Sequence, residues 1–400
     1  MKSQHFIHEE MNINVEYSDI SKAPDSGTEK AGIALDRNYK ITPDAIELAR
    51  QSKIQVVSFF SGAGGLDIGA QLAGTKVISA HDFDADSIST LRRNSFFAHT
   101  EHHLGDIATA EPTLFRDVIE RNNPEKLIIV GGPPCQPFSK AAYWTTLKNR
   151  LSHNDPRNMI GNYFRMIAEI KPDGFLLENV ESMLHPHNRF ALESITDLIN
   201  SLGYEHELIR ANAIEYGVAQ KRKRVFFICS KKKFKSKEPI KTHGSIKEII
   251  ENPLLRPYDR VVDWIGKFDT MEYFEKEELT NNGTYHFDLL DVPAGKNYIA
   301  ITAASGYPNP KFIAQKRFWN FLLKLHPDMP SWTIAAQPGP WVGPFHWTSR
   351  RLRVPEIAAI QAFPENYEYS GNRRSIQKQI GNAVPPLLGK AMVEFLIKNI

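Results

Sequence analysis

The segment IQVVSFFSGAGGLDIGA, residues 54–70, decides the fold. Its first seven residues are mostly β-branched or aromatic and read as a buried strand, and the glycines after Phe60 permit a tight turn into a helix near 66–74. The same alternation runs outward from there to about residue 230. It passes through KVISAHD (76–82), a helix near 86–95, LIIV (127–130), a helix near 160–170, FLLENV (175–180), a helix near 190–202 and RVFFICS (224–230). Short apolar strands alternating with amphipathic stretches predict an α/β fold with a doubly wound parallel sheet.

Outside this block the texture changes. Residues 1 to about 40 are polar with little periodicity and read as a peripheral extension, followed by a short helix in TPDAIELARQ (42–51) capped by Thr42. From 231 to 347 the chain is rich in Lys, Pro, Gly and aromatic residues. It reads as a second region of irregular and β structure with a helix near 311–325. Helical spacing returns in VPEIAAIQAF (354–363) and in the closing PPLLGKAMVEFLIKNI, where Pro385 and Pro386 suit a first turn. The predicted organisation is an extension over 1–50, a catalytic and cofactor domain over 51–230, a smaller domain over 231–347, and a return to the first domain over 348–400.

Four hundred residues suffice for a large core. No run of about 18 apolar residues and no apolar signal core at the N-terminus are present, so a cytoplasmic chain without a membrane segment is expected. Two cysteines, Cys135 and Cys229, make neither a disulfide framework nor a zinc site, and the scattered histidines lack metal spacing, so no metal is expected. Net charge is only +3, yet nine of the seventeen residues from Lys221 to Lys237 are basic, with Arg350, Arg351 and Arg353 as a second group. Such local concentrations suit phosphates.

The glycine run departs from G-x-G-x-x-G, because Asp67 stands where the third glycine would be, which disfavours a pyrophosphate. Asp82 ends the second strand, where a carboxylate can accept from both hydroxyls of a ribose. A nucleoside cofactor without pyrophosphate satisfies both facts, and S-adenosylmethionine is the leading candidate, with Phe60 and Phe83 against its adenine and Asp106 on an exocyclic amine. GGPPCQPFS (131–139) places Cys135 just past a strand, at the sheet edge where such folds bind ligands. Glu178 ends the next strand. A thiol and a carboxylate at one edge form a reactive pair, while Cys229, inside VFFIC, reads as core.

Taken together, the motifs resemble the DNA (cytosine-5)-methyltransferases, in particular the bacterial restriction-modification type. FFSGAGG, HDFDADSISTLRRN (81–94), GDI (105–107), GGPPCQPFS, DPRN (155–158), LLENV (176–180), QKRKRVFFI (220–228), RRLRVPEIAAIQAFPENY (350–367) and QIGNAVPPLLGKAM (379–392) appear in the family's order. The resemblance implies a Rossmann-like catalytic domain, with 231–347 as target-recognition domain. It implies Cys135 as nucleophile toward cytosine C6, Glu178 as proton donor toward N3, and Arg222 and Arg224 as groups that orient the carboxylate or the base. It also implies cofactor contacts from Phe60, Gly62, Gly64, Gly65, Asp82, Phe83, Asp106, Ile107, Pro134 and Asn382. Double-stranded DNA is the expected partner, with the basic groups on phosphates. A cognate restriction endonuclease and a monomeric state are expected. Methylation of RNA on the same scaffold, or a catalytically silent DNA-binding regulator, are the competing readings. Two departures, Ser58 in place of a common acidic residue and Ala383 in place of a common serine, touch cofactor contacts only.

Overall fold

A computed structural model describes residues 37–134, 159–313 and 318–400. The strands of its main sheet are β1 (Ile54–Phe59), β2 (Lys76–Asp82), β3 (Glu101–Leu104), β4 (Lys126–Gly131), β5 (Gly174–Val180), β6 (Glu205–Asn212) and β7 (Lys223–Ser230). They form one sheet in the order 3-2-1-4-5-7-6. The predicted doubly wound α/β fold is present, and β1 to β5 run parallel. The expectation of a wholly parallel sheet fails at β7, which pairs antiparallel with both β5 and β6. After β6 the chain turns back through the short segment 213–222, and so short a connection joins only antiparallel neighbours.

Helices α1 (Pro43–Arg50), α2 (Gly65–Leu72), α3 (Ala85–Arg93), α4 (Pro112–Asn122), α5 (Met159–Ile170) and α6 (Arg189–Ser201) accompany the sheet. The expected Thr42 cap is present, its Oγ1 accepting from the Ala45 N–H at 3.2 Å. Strand alternation divides the apolar residues between two faces. Val56, Ile128, Val130, Leu176, Phe226 and Ile228 join a core with α2 and the C-terminal helix. Val57, Phe59, Ile129, Phe175, Leu177 and Phe227 join a second core with α4, α5 and α6, in which Cys229 is fully buried, as its apolar strand predicts.

Further along come α7 (Ile246–Glu251), α8 (Val261–Ile265), α9 (His286–Asp291), α10 (Val354–Ile360), α11 (Arg373–Asn382) and α12 (Pro386–Ile397). α12 lies on α2 so closely that a Cβ at Gly69 would fall 2.6 Å from the Lys390 backbone nitrogen. α11 clamps α3: Gln379 Oε1 accepts from Thr90 Oγ1 at 2.6 Å, and Lys378 pairs with Asp84 at 2.8 Å. The stretch Arg373–Ile397 is long and apolar enough to cross a bilayer by length and composition alone. Here it is two helices broken before Pro386, and most of it is buried in the core.

Residues 231–347 contain short helical turns, a two-stranded pair (His243–Gly244 with Arg256–Pro257) and isolated bridges. Val261, Trp264, Ile265 and Phe268 join the main core, and Leu289, Val292, Tyr298, Ile301, Leu322 and Phe345 form a small core of their own. Tyr285 meets Phe321 and Trp341 edge-on at 5.1 and 5.7 Å, so much of the aromatic content is spent on this core. The helix expected near 311–325 is absent among the described residues. Instead Phe312, Phe321 and Lys324 form bridges to Thr302, Val342 and Phe345. The buried run Leu322–Leu325 puts consecutive side chains inside, Lys324 included, which a one-sided helix cannot do.

Candidate active site

The carboxyl ends of β1, β2, β4 and β5 share one edge, and the cofactor candidates collect at its β1–β2 side. Phe60, Gly62 and Gly64 take φ of 58°, 53° and 78°. The turn is tied to β2 by Ser61 N–H donating to His81 O at 3.2 Å and Gly62 N–H donating to Asp82 Oδ2 at 2.7 Å. Asp82 Oδ1 accepts from the Asp84 N–H at 2.9 Å, and each carboxylate oxygen retains a second acceptor position. Burial raises the Asp82 carboxyl pKa, and the backbone donors oppose that rise. A Cβ on Gly62 would meet nothing within 4 Å, so the backbone is open to a ligand there. Gly64 and Gly65 serve close packing instead, since their Cβ atoms would lie 2.6 Å from Leu91 Cδ2 and 2.2 Å from Val384 O.

Gly105 N–H donates to Asp82 O at 3.0 Å, which brings the turn carrying Asp106 beside Asp82. Asp106 is exposed and Ile107 buried. Phe83 is 68% exposed, a large apolar ring left at the strand end, with the Lys378 amine 5.9 Å from its centroid. Asn382 is exposed at the end of α11, next to the Ala383–Val384 segment that packs on Gly65. An open glycine backbone beside a carboxylate with spare acceptor positions and an exposed aromatic ring fits a nucleoside cofactor.

Of the catalytic candidates, Glu178 and Arg224 lie further along the same edge. Cys135 falls outside the described residues, as does DPRN (155–158), and the described chain after β4 reaches the exposed Pro134. Glu178 ends β5 nearly buried, and its Oε1 pairs with Arg224 Nε at 2.8 Å across the antiparallel β5–β7 register. Burial raises the Glu178 pKa above the usual carboxylate value, and Arg224 and then Arg222 pull it back only in part. A Cβ on Gly132 would sit 2.8 Å from Glu178 Oε2, so glycine there leaves room for the carboxyl. Asn179, not singled out from sequence, donates from Nδ2 to Pro133 O at 3.1 Å and ties the segment after β4 to β5.

Arg222 does not bond to Glu178. It is 1% exposed and donates from Nη2 to Gly381 O at 2.7 Å and Ala383 O at 3.1 Å, and from Nη1 to Ile334 O at 3.3 Å. Gln220 works beside it, donating to Gln361 Oε1 at 2.6 Å and accepting from the Ile334 N–H at 3.1 Å. Both were legible only as letters in QKRKR, because their acceptors lie more than a hundred residues away. Arg222→Ala is expected to destabilise the fold by about 3 kcal/mol, since buried acceptors lose their donor and a cavity opens. A lowered urea midpoint checks this.

The two basic groups expected on phosphates stand differently in the structure. Arg350 pairs with Glu356 at 2.7 Å and Asp269 at 2.8 Å, and the buried Arg353 pairs with Glu278, so their charges are neutralised inside the protein. Arg351 donates to Pro340 O at 2.6 Å. The Lys221–Lys237 run is split by β7: Arg224 sits opposite Val180 at the site edge, whereas Ser230 sits opposite Gly174 at the other edge. Glu178 is in register with Phe226, so Lys231, five residues further on, lies roughly 16 Å along the strand from it. Among the described residues no group of three His, Cys, Asp or Glu side chains is arranged to hold a metal.

A largely parallel seven-stranded sheet with a glycine turn after β1 and an antiparallel strand at its far side is that of Rossmann-like methyltransferases. Solved structures of an Entamoeba histolytica methyltransferase, EhMeth, and of a Spodoptera frugiperda DNMT2 mutant share the fold. Their TM-scores are 0.54 and 0.55 at 15% and 14% identity, covering 87% and 86% of this chain and 98% and 99% of theirs. The family model for C-5 cytosine-specific DNA methylase matches residues 54–398, and the chain belongs to that family. The chain is 33% identical to the type II methyltransferase M.SacI of Streptomyces achromogenes over 375 residues, 87% of this chain and 94% of the relative. It is 28% identical to M.NgoPII of Neisseria gonorrhoeae, covering 83% of this chain and 92% of the relative. The resemblance read from the motif blocks is borne out: this is a DNA cytosine-5 methyltransferase, and the family implies S-adenosylmethionine as methyl donor.

Proposed function

We propose that the enzyme methylates C5 of a cytosine turned out of a specific double-stranded DNA sequence, through a covalent bond between Cys135 and C6. The observation that carries this is the Glu178–Arg224 pair at 2.8 Å, set against Gly132 on the same sheet edge as the Asp82 turn. Cytosine C5 is too weak a nucleophile to take a methyl group unaided, so the ring must first be activated. The Cys135 thiolate adds to C6 while Glu178, its pKa raised by burial, holds a proton toward N3 and stabilises the charge that develops in the ring. S-adenosylmethionine, when bound, supplies an electrophilic methyl group on its sulfonium. Asp82 accepts from its ribose hydroxyls, Asp106 from the adenine amine, and Phe60 and Phe83 flank the adenine. Gly62, Gly64 and Gly65 shape the turn, with Ile107, Pro134 and Asn382 completing the contacts. Once C5 is methylated, loss of its proton and expulsion of the Cys135 thiolate restore the aromatic ring.

Arg224 orients the Glu178 carboxyl, and Arg222 acts through position, holding the start of β7 against the 381–383 segment. A cytosine within a duplex cannot offer C6 to a thiol, so the base leaves the stack. The region 231–347 reads the surrounding sequence in the grooves. The enzyme works as a cytoplasmic monomer and protects host DNA from a partner endonuclease of the same specificity. Bisulfite sequencing of DNA from cells expressing the chain tests the reading. Unconverted cytosines at one recurring short sequence are expected, and uniform conversion in DNA alongside protected RNA cytosines would overturn it.

A further inference from the structure

Asp67 lies in the first turn of α2, directly below the cofactor turn, and is fully buried. Neither of its carboxylate oxygens has a partner at ordinary hydrogen-bond geometry, and only the Ser58 and Ser61 hydroxyls come near enough to stabilise its charge weakly. Native proteins rarely leave such a group unsatisfied, so it calls for a cause. The Ser58 and Ser61 hydroxyls beside it bond to each other at 2.9 Å. The other titratable groups facing it are Asp82 from β2 and Tyr367, whose hydroxyl donates to Ala63 O at 2.7 Å. None of these is a cation. On helices packed against α2, Lys390 pairs with Glu394 at 2.6 Å and Arg50 with Glu47 at 3.6 Å. Burial pushes the Asp67 carboxyl up to about 7, the serines oppose this, and Asp82 adds to it.

We propose that Asp67 is the counter-charge that tells donor from product: ionised while the cationic sulfonium of S-adenosylmethionine occupies the turn, and protonated from solvent once the neutral thioether of S-adenosylhomocysteine remains. The inference rests on the reading of residues 60–65 as the cofactor cradle. A buried carboxylate loses its compensating cation when the methyl group leaves, and taking up a proton relieves the uncompensated charge. The sign follows: donor binding favours the ionised form, so preference for donor over product rises with pH through about 7.

Calorimetric titration of the whole enzyme with each ligand, at pH 6.5 in two buffers of different ionisation heat, counts the protons released. At that pH the α-amino groups of both ligands are largely protonated already. The donor is expected to release roughly half a proton more than the product, as the linkage of a group titrating near that pH requires. In Asp67→Asn the difference disappears and the donor-to-product affinity ratio falls about tenfold, whereas Asp67→Glu restores both. Equal proton counts for the two ligands in the wild-type enzyme, or a difference that survives Asp67→Asn, overturn the proposal. Should Asp67→Asn fail to fold, the wild-type affinity ratio from pH 6 to 8 decides, a flat ratio refuting it. Absence of donor binding to the wild type would instead refute the cradle reading.

Discussion

A duplex carrying 5-fluorocytosine at the target position is expected to trap the enzyme covalently when S-adenosylmethionine is added, because fluorine at C5 blocks the final elimination. Denaturing electrophoresis reads the outcome as a band of enzyme plus DNA. Cys135→Ser is expected to abolish that band and to lower kcat by at least about 10⁴-fold, since a hydroxyl replaces a thiol that ionises readily near neutral pH. DNA binding should survive, because the substitution removes one sulfur and no phosphate contact. Trapping that persists undiminished in Cys135→Ser would assign the nucleophile elsewhere.

Glu178→Gln carries the second large effect. The amide keeps the shape of the side chain and loses the transferable proton, so kcat is expected to fall by about 10²–10⁴-fold with little change in KM for DNA. The pH profile separates the proton from the shape. Burial holds the Glu178 pKa above the ordinary carboxylate value, so its acid form persists to higher pH, and activity is lost as pH rises through the folded value. That limb should be missing in Glu178→Gln. A variant that loses activity yet keeps the same alkaline limb would show that another group sets it.

Legibility in the sequence followed the range of the interactions. The ends of β1, β2 and β5 were readable because apolar runs stop abruptly at a glycine turn or a carboxylate, which is local information. β3 and β6 escaped notice: EHHL and EHELIRAN are polar sequences, and both strands lie at sheet edges where few side chains need be apolar. The direction of β7 was hidden for another reason, since strand and helix alternation says nothing about which gap a strand enters. Arg350 and Arg353 look like a basic patch, but Asp269 and Glu278, which pair with them, lie some eighty residues earlier, and Glu356, six residues after Arg350, faces it only once α10 forms. Asp67 stood out only as a glycine missing from a motif. Its burial and its lack of a partner at ordinary hydrogen-bond geometry come from packing that no residue spacing encodes.

The reversal at β7 also governs how this enzyme can be rebuilt. The chain leaves the sheet at Ser230, on the edge opposite Glu178, and regains the site edge at Ser331, whose N–H donates to Ala219 O at 2.8 Å while its own O accepts from the Lys221 N–H at 2.8 Å. Everything between behaves as a cassette whose entry is keyed as well as its exit: Lys235 N–H donates to Asn399 Oδ1 at 2.8 Å, Thr242 N–H donates to Glu215 O at 3.0 Å, and Val261, Trp264 and Phe268 pack in the main core. A transplanted recognition segment must keep these anchors, and a one-residue slip at Ser331 would misplace Ile334 against Gln220 and Arg222.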